Sequence, residues 1–315
     1  MGILNRTETA AFLAQRDNFA ILTHRRPDGD TLGCAALLCR GLRQLGKTAF
    51  VLENPEVTPK YAYLMEGLTK KEAAENDTLI CVDVAAKSML PQVFSHLAEG
   101  LALRIDHHVN DRSFTENELV EPETAACGEV VYGVLQQMGA VLDEEMAKAL
   151  YTAVSTDTGC FRYGNTTPDT FRAAADCAAV YKNLRKLNQM LFETFSLPRL
   201  RMQGWMTENA KFLAGGKICI CAIPLEVEQK IGVTEDDMEN ISGFPRAIAG
   251  VVVAATLRQE PDRVKISVRT DSTVDASEIC AKFGGGGHRG AAGASMDCTI
   301  EDAVKALIEA LPIIE

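Results

Sequence analysis

Residues 101–111 read LALRIDHHVND, an apolar run that halts at Asp106, His107 and His108. A strand of a parallel sheet is buried on both faces and is therefore apolar along its length, and in open α/β sheets ligands gather beyond the carboxyl ends of such strands. The run over Leu101–Ile105 predicts a central strand that delivers an acid and two imidazoles to a natural site position. Taken alone, these three polar residues could equally belong to a solvated loop. The pattern recurs along the chain, and the recurrence decides the fold.

Asn18–Thr23 (NFAILT) ends at His24, after which RRPDGD leads into a helical pattern over Thr31–Leu45. Pro27 and Gly29 impose a turn, so His24, Asp28 and Asp30 share one strand-to-helix loop. One imidazole and two carboxylates within seven residues form a donor set that hard divalent cations accept. The plain alternative is that Asp28 and Asp30 are turn and N-cap residues. Lys47–Leu52 (KTAFVL) reads as the next strand, followed by a helix near Tyr61–Met65. Thr78–Val82 (TLICV) is another buried-strand run; it ends at Asp83, which could otherwise cap the following segment. Glu129–Met138 and Glu144–Val154 have helical apolar spacing. The second leads into STDTGCFRYGNTTPDTF, placing Asp157 in a turn-rich loop before Gly159, where Phe161, Arg162 and Tyr163 could line a pocket or merely close it. Four apolar runs alternating with helices predict a doubly wound parallel sheet over residues 1–185, with a site at its carboxyl edge. Of five histidines, only His96 lies outside these clusters and a later glycine loop.

A length of 315 residues exceeds the usual single-core size and predicts two domains. Residues 186–210 read as a helical linker, broken at Pro198. Strand-like runs at Ile218–Ile223, Gly250–Leu257 and Arg263–Arg269, a helix at Ala276–Lys282 and an amphipathic closing helix at Ile300–Leu311 make a second α/β unit over 211–315. Its conspicuous stretch is FGGGGHRGAAGA, from Phe283 to Ala294. Consecutive glycines give little to packing, yet Gly285, Gly286 and Gly287 would let backbone N–H groups approach a phosphate, with His288 and Arg289 as donors to anionic oxygens. Arg269 is a further candidate contact. A flexible hinge and a solvated arginine are the alternatives.

The net charge is −11, so the molecule as a whole does not attract a polyanion, and any phosphate must be captured locally. A basic track for a long duplex is missing. The N-terminal residues do not resemble a signal peptide, and no apolar run approaches membrane-spanning length, which predicts a cytoplasmic protein with no membrane partner. The ten cysteines are scattered without a Cys-x-x-Cys pair and read as buried, reduced thiols. Cys219 and Cys221, alternating along one strand, come nearest to a thiolate pair.

HRRPDGD, the Asp83 strand end, DHH, the Asp157 loop and the late GGGGH together resemble the DHH phosphoesterase superfamily with its C-terminal DHHA1 domain. The DTGCFRYGNTTP segment is most similar to the bifunctional oligoribonuclease and pAp phosphatase group, NrnA-like. The resemblance implies a parallel-sheet DHH catalytic domain joined by a helical linker to a smaller mixed-sheet DHHA1 substrate-binding domain. It implies two Mn2+ ions, with Mg2+ as a substitute. His24, Asp28 and Asp83 would hold one ion; Asp30, Asp83, His107 and Asp157 would hold the other, with Asp83 as the bridge. Asp106 would orient the cluster, and His108 would contact the scissile phosphate and protonate the leaving oxygen. Arg269, Gly285, Gly286, Gly287, His288 and Arg289 would grip the nucleotide. Two cations about 4 Å apart can activate a shared water and stabilise both reacting oxygens. The implied activity is exonucleolytic hydrolysis of very short oligoribonucleotides and of 3′-phosphoadenosine 5′-phosphate. A soluble phosphodiesterase for products such as pApA, and a non-catalytic nucleotide sensor, are the alternatives. The expected partner is short single-stranded RNA or a nucleotide rather than long duplex, and a homodimer is left open.

Overall fold

The computed structural model describes residues 2–108, 113–312 and 314; Val109, Asn110 and Asp111 of the opening stretch lie outside them. The chain divides into two units, Met1–Thr194 and Phe195–Glu315.

The strands of the first unit are β1 (Gly2–Ile3), β2 (Phe19–Leu22), β3 (Ala49–Leu52), β4 (Thr69–Lys70), β5 (Thr78–Val82), β6 (Leu101–Asp106) and β7 (Asn117–Val120). Its helices are α1 (Arg6–Ala14), α2 (Gly29–Gln44), α3 (Ala62–Met65), α4 (Cys127–Gln137), α5 (Glu144–Asp157), α6 (Pro168–Val180) and α7 (Leu184–Asn188). The seven strands are all parallel, in the order β1-β7-β6-β5-β2-β3-β4. The four apolar runs of the sequence are β2, β3, β5 and β6. Alternate residues of β2 serve different cores: Phe19 and Ile21 pack with Leu32, Leu37 and Leu38 of α2, while Ala20 and Leu22 pack with Phe50, Cys81 and Phe94. The second face is covered by the 3₁₀ segments Lys87–Met89 and Gln92–Gly100. The chain leaves β2 toward β3 and β4 on one side and returns to β5, β6 and β7 on the other. The loops after β2 and β5 therefore open at a topological switch point, where such sheets leave a crevice.

One expected position needs correction. Asp157 is not in a turn-rich loop but in the last turn of α5, which continues past Val154 and ends with Thr158 as its C-cap. The stop comes later because the left-handed residues begin at Gly159 (φ 56), followed by Cys160 (φ 59) and Phe161 (φ 62). Pro198 also differs. It opens α8 (Leu197–Glu208) in the first turn, where its missing N–H is harmless, instead of interrupting a helix.

The second unit adds β8 (Lys211–Leu213), β9 (Ile218–Ile223), β10 (Val253–Gln259), β11 (Val264–Thr270), β12 (Gly286–His288) and β13 (Ala291–Met296), with α9 (Leu225–Ile231), α10 (Glu235–Met238), α11 (Ala276–Ala281) and α12 (Ile300–Ala310). The sheet order is β12-β13-β11-β10-β9-β8. Only β9 and β10 are parallel, so the sheet is mixed. The glycine stretch is an edge hairpin, not an open loop: β12 pairs with β13. Its glycines have a packing reason that the sequence reading did not credit. A Cβ at Gly285 would stand 2.2 Å from the Gly293 carbonyl oxygen, and Gly287 has φ +148 with the Ala291 carbonyl oxygen 2.6 Å from where its Cβ would be. Among the described residues no helix is long and apolar enough to cross a membrane. All ten cysteines are free, and eight are buried.

Candidate metal centre

His24 stands two residues beyond the end of β2. Its Nδ1 lies 2.7 Å from the Arg25 carbonyl oxygen. A carbonyl can only accept, so the proton sits on Nδ1 and the Nε2 lone pair is left facing carboxylates: Asp28 Oδ1 at 3.6 Å and Asp83 Oδ2 at 3.8 Å. The Asn54 carboxamide fixes this corner by donating to the His24 carbonyl (2.8 Å) and to Thr23 Oγ1 (2.9 Å). Asp28 is the N-cap of α2 and accepts from the backbone N–H groups of Asp30 (3.1 Å) and Thr31 (3.2 Å). Asp28 thus caps α2 while its Oδ1 faces the His24 ring.

Asp30, in the first turn of α2, is fully buried. Its carboxylate accepts from the backbone N–H of Cys127 (2.7 Å) and of Gly128 (3.0 Å) at the start of α4, and from the Cys34 thiol (3.2 Å). Asp83 follows β5 directly in the left-handed region (φ 56), a conformation that aspartate tolerates better than most side chains. His107, after β6, donates Nδ1–H to the Thr124 carbonyl (3.2 Å). Its Nε2 then faces Asp30 Oδ2 (3.7 Å), Asp83 Oδ1 (3.6 Å) and Asp157 Oδ2 (3.6 Å). Two glycines let Asp30 and Asp157 converge. At Gly33 any Cβ would lie 2.6 Å from the Ala149 carbonyl oxygen, and at Gly29 it would lie 2.4 Å from Thr156 Oγ1, so α2 and α5 pack closer than side chains allow.

So many carboxylates in one place repel one another. Burial, and next to it the charge of Asp30, push the Asp83 carboxyl well above the usual range. Burial and the same neighbour push Asp157 up to about 8. Asp30 is raised mainly by burial. Asp28 goes the other way: burial would raise it, but the nearby His24 imidazole and the backbone N–H donors outweigh it.

The donor chemistry fits divalent cations. Asp83 Oδ1 is buried with no hydrogen-bond partner, and the imidazole-to-carboxylate separations are too long for hydrogen bonds. Two donors sharing one cation at about 2.0–2.2 Å stand roughly 3–3.6 Å apart, close to what is seen here. The donor atoms of His24, Asp28 and Asp83 lie within 4.8 Å of one another, as do those of Asp30, His107 and Asp157, and those of Asp83, His107 and His108. Seven residues that the sequence singled out thus meet at one place.

Asp106 sits beneath them. Its Oδ1 accepts from the His107 N–H (2.7 Å), the His108 N–H (3.2 Å) and the His108 Nδ1 (2.9 Å). The His108 side chain is 36% exposed. Burial would lower its pKa, but the bond to Asp106 raises it. Sequence reasoning missed two charged residues here, Arg104 on β6 and Glu118 on β7, both buried. The available signal was a lone arginine inside the apolar run LALRID.

The remaining candidates belong to the second unit. Ala291 of β13 is the register partner of both Arg269 and His288, so these two residues flank one strand on the same sheet face. Gly286, Gly287 and His288 form the exposed edge strand, with Gly285 just before it. Arg289 donates Nε–H to the Ser272 carbonyl (2.7 Å).

Residues 18–154 match the DHH family, N-terminal domain, and residues 215–312 match the DHHA1 domain. The chain is 32% identical over 297 residues to the bifunctional oligoribonuclease and PAP phosphatase NrnA of Thermus thermophilus, covering 92% of this chain and 88% of the relative. It is 24% identical over 296 residues to the protein of the same name from Bacillus subtilis, covering 92% and 93%. Among solved structures, an exopolyphosphatase-related protein from Bacteroides fragilis superposes with a TM-score of 0.86 at 24% identity, covering 97% of this chain and 95% of that one, and so shares the fold.

Proposed function

The chain belongs to the DHH family with a C-terminal DHHA1 domain, and from that premise we propose that it hydrolyses very short oligoribonucleotides and 3′-phosphoadenosine 5′-phosphate with two Mn2+ ions. It is a hydrolase acting on phosphate esters, as its relatives are named. The observation that carries the finer reading is the convergence on the Asp83 carboxylate, whose Oδ1 is unpartnered, of imidazoles and carboxylates from the ends of β2, β6 and α5.

His24, Asp28 and Asp83 would hold one cation; Asp30, Asp83, His107 and Asp157 would hold the second. When bound, such ions lower the pKa of a water and offset the charge that develops on phosphate oxygens. The chain's own groups do the rest. Asp106 accepts the Nδ1–H of His108 and aims the ring. The pairing also favours the imidazolium, which can give a proton from Nε2 to the departing alkoxide. In the second unit, His288 and Arg269 across β13 would offer donors to the nucleotide's phosphate or ribose, and the adjoining glycines its backbone N–H groups.

The net charge of −11 favours short substrates engaged at an end. A panel of dinucleotides, long RNA, pAp, pApA and pyrophosphate with Mn2+ tests this. Dinucleotides and pAp should turn over, with long RNA at least about tenfold slower. Equal rates on dinucleotides and long RNA would refute the short-substrate reading, and pApA favoured over every other dinucleotide would replace it with a phosphodiesterase for cyclic-dinucleotide products.

A further inference from the structure

β6 is flanked by β5 and β7 and covered on both faces, yet it carries Arg104 with 1% of its surface exposed. A buried cation needs partners, and replacing such an ion pair whole by well-packed apolar residues is often neutral for stability. Stability therefore does not explain the choice. The guanidinium is held from one side: Nη2 donates to Glu118 Oε2 (3.1 Å), Nη1 donates to the Ala85 carbonyl (3.2 Å), and the group lies 5.0 Å from the Phe114 ring centroid. Glu118 is itself fixed, since its Oε1 accepts from the Phe114 N–H (3.0 Å) and the Thr115 hydroxyl (3.3 Å).

On its other side Arg104 faces Asp106. All three hydrogen bonds accepted by Asp106 fall on Oδ1. Oδ2 is buried, has no hydrogen-bond partner, and lies 3.7 Å from Arg104 Nη1. The two oxygens are thus held in unlike surroundings, one by donors and one by a fixed positive charge. Without that charge Oδ2 has nothing to hold it, only the three bonds to Oδ1 oppose rotation of the carboxylate, and the His108 ring that shares Oδ1 would be aimed less firmly.

We propose that Arg104 is a positioning residue: braced by Glu118 and the Ala85 carbonyl, it locks the Asp106 carboxylate in the orientation that aims His108 at the leaving oxygen. The inference rests on the phosphoesterase reading above. It is tested by comparing pApA, whose leaving alkoxide needs a proton, with the p-nitrophenyl ester of thymidine 5′-phosphate, whose leaving phenolate does not. With saturating Mn2+, R104M should lower kcat on pApA by roughly 100-fold, the scale of one proton-transfer group, and on the p-nitrophenyl ester by less than about fivefold, with KM within about twofold on both. R104K, which keeps the charge but not the fork, should restore part of the loss on pApA. H108N should show the same asymmetry, and adding R104M to H108N should cost no more than about threefold further, because both act on one step.

Equal losses on the two esters, or a full extra loss in the double variant, would overturn the proposal. If R104M fails to fold, R104K decides alone: its loss must be larger on pApA, and a symmetrical loss overturns the idea. Wild-type protein inactive on both esters would refute the phosphoesterase reading instead, and the proposal with it.

Discussion

Gly33→Ala is the smallest change that separates the halves of the metal centre without touching a donor. A Cβ at position 33 would meet the Ala149 carbonyl oxygen at 2.6 Å and Ala153 Cβ at 2.9 Å, and neither atom can swing aside. Restoring ordinary contact at about 3.4 Å requires α2 and α5 to part by about 0.8 Å. Asp30 rides on α2 and Asp157 on α5, so they should separate by a similar distance, well beyond the ~0.2 Å tolerance of metal-ligand bonds. Overpacking costs about 1–3 kcal/mol, and replacing a helical glycine by alanine returns about 1 kcal/mol. The net is about 0–2 kcal/mol, or a fall in Tm of at most about 8 °C for a unit of this size. Mn2+ affinity should fall further in proportion, by roughly 10–100-fold. Titration calorimetry with Mn2+ and scanning calorimetry in chelator measure the two separately. An unchanged Mn2+ Kd would show that Asp30 and Asp157 do not share an ion.

Two further outcomes follow from the same cluster. In chelator, Tm should be higher at pH 6 than at pH 8. Asp157, with its pKa raised from 3.8 to about 8, is protonated in the fold and ionised in the unfolded chain between those values, so unfolding releases protons and stability falls as pH rises; the slope reaches about 1.4 kcal/mol per pH unit for each such group. The raised His24 and His108 act in the same direction, since their contribution is lost as pH climbs through their folded pKa, whereas the lowered Asp28 and Asp106 matter only below about pH 4. Mn2+ should flatten the slope, and a Tm that rises with pH in chelator would contradict the crowding of carboxylates. Asp83→Asn should abolish turnover while raising the Tm of the metal-free protein as pH rises, because the amide cannot take on the charge that burial and Asp30 disfavour at this position; residual turnover above about one part in a thousand of wild type would leave the bridging role without support.

The sheet was legible because parallel strands advertise themselves. β2, β3, β5 and β6 are short apolar runs, and the site residues stand at the carboxyl ends of three of them. β1 and β4 have two residues each and carry no pattern to read. β7 reads NELV, with a buried glutamate that looks like a surface residue until Arg104 is placed opposite it; Glu118 and Arg104 are register partners. Neither charge is interpretable alone, because the pairing of β6 with β7 is a tertiary fact. The glycine stretch shows the converse case. Its composition points to an open phosphate loop, but the close approach of β12 to β13 at Gly285 and Gly287 is by itself enough to require glycine.

The same contrast separates what the cluster costs from what it does. A fold under selection for stability alone would not keep Asp83 in a left-handed conformation, its Oδ1 unpartnered, beside carboxyls, Asp30 first among them, that together with burial push its own pKa up. Strain of this kind persists where the surroundings over-determine it. Here the surroundings are specific: Thr31 Oγ1 donates to the Val82 carbonyl (2.9 Å), and the Asp83 N–H donates to the Ile105 carbonyl (2.9 Å), tying the residue to α2 and to β6. These bonds hold the carboxylate between His24 and His107, so the destabilised residue is also the one that both imidazoles face.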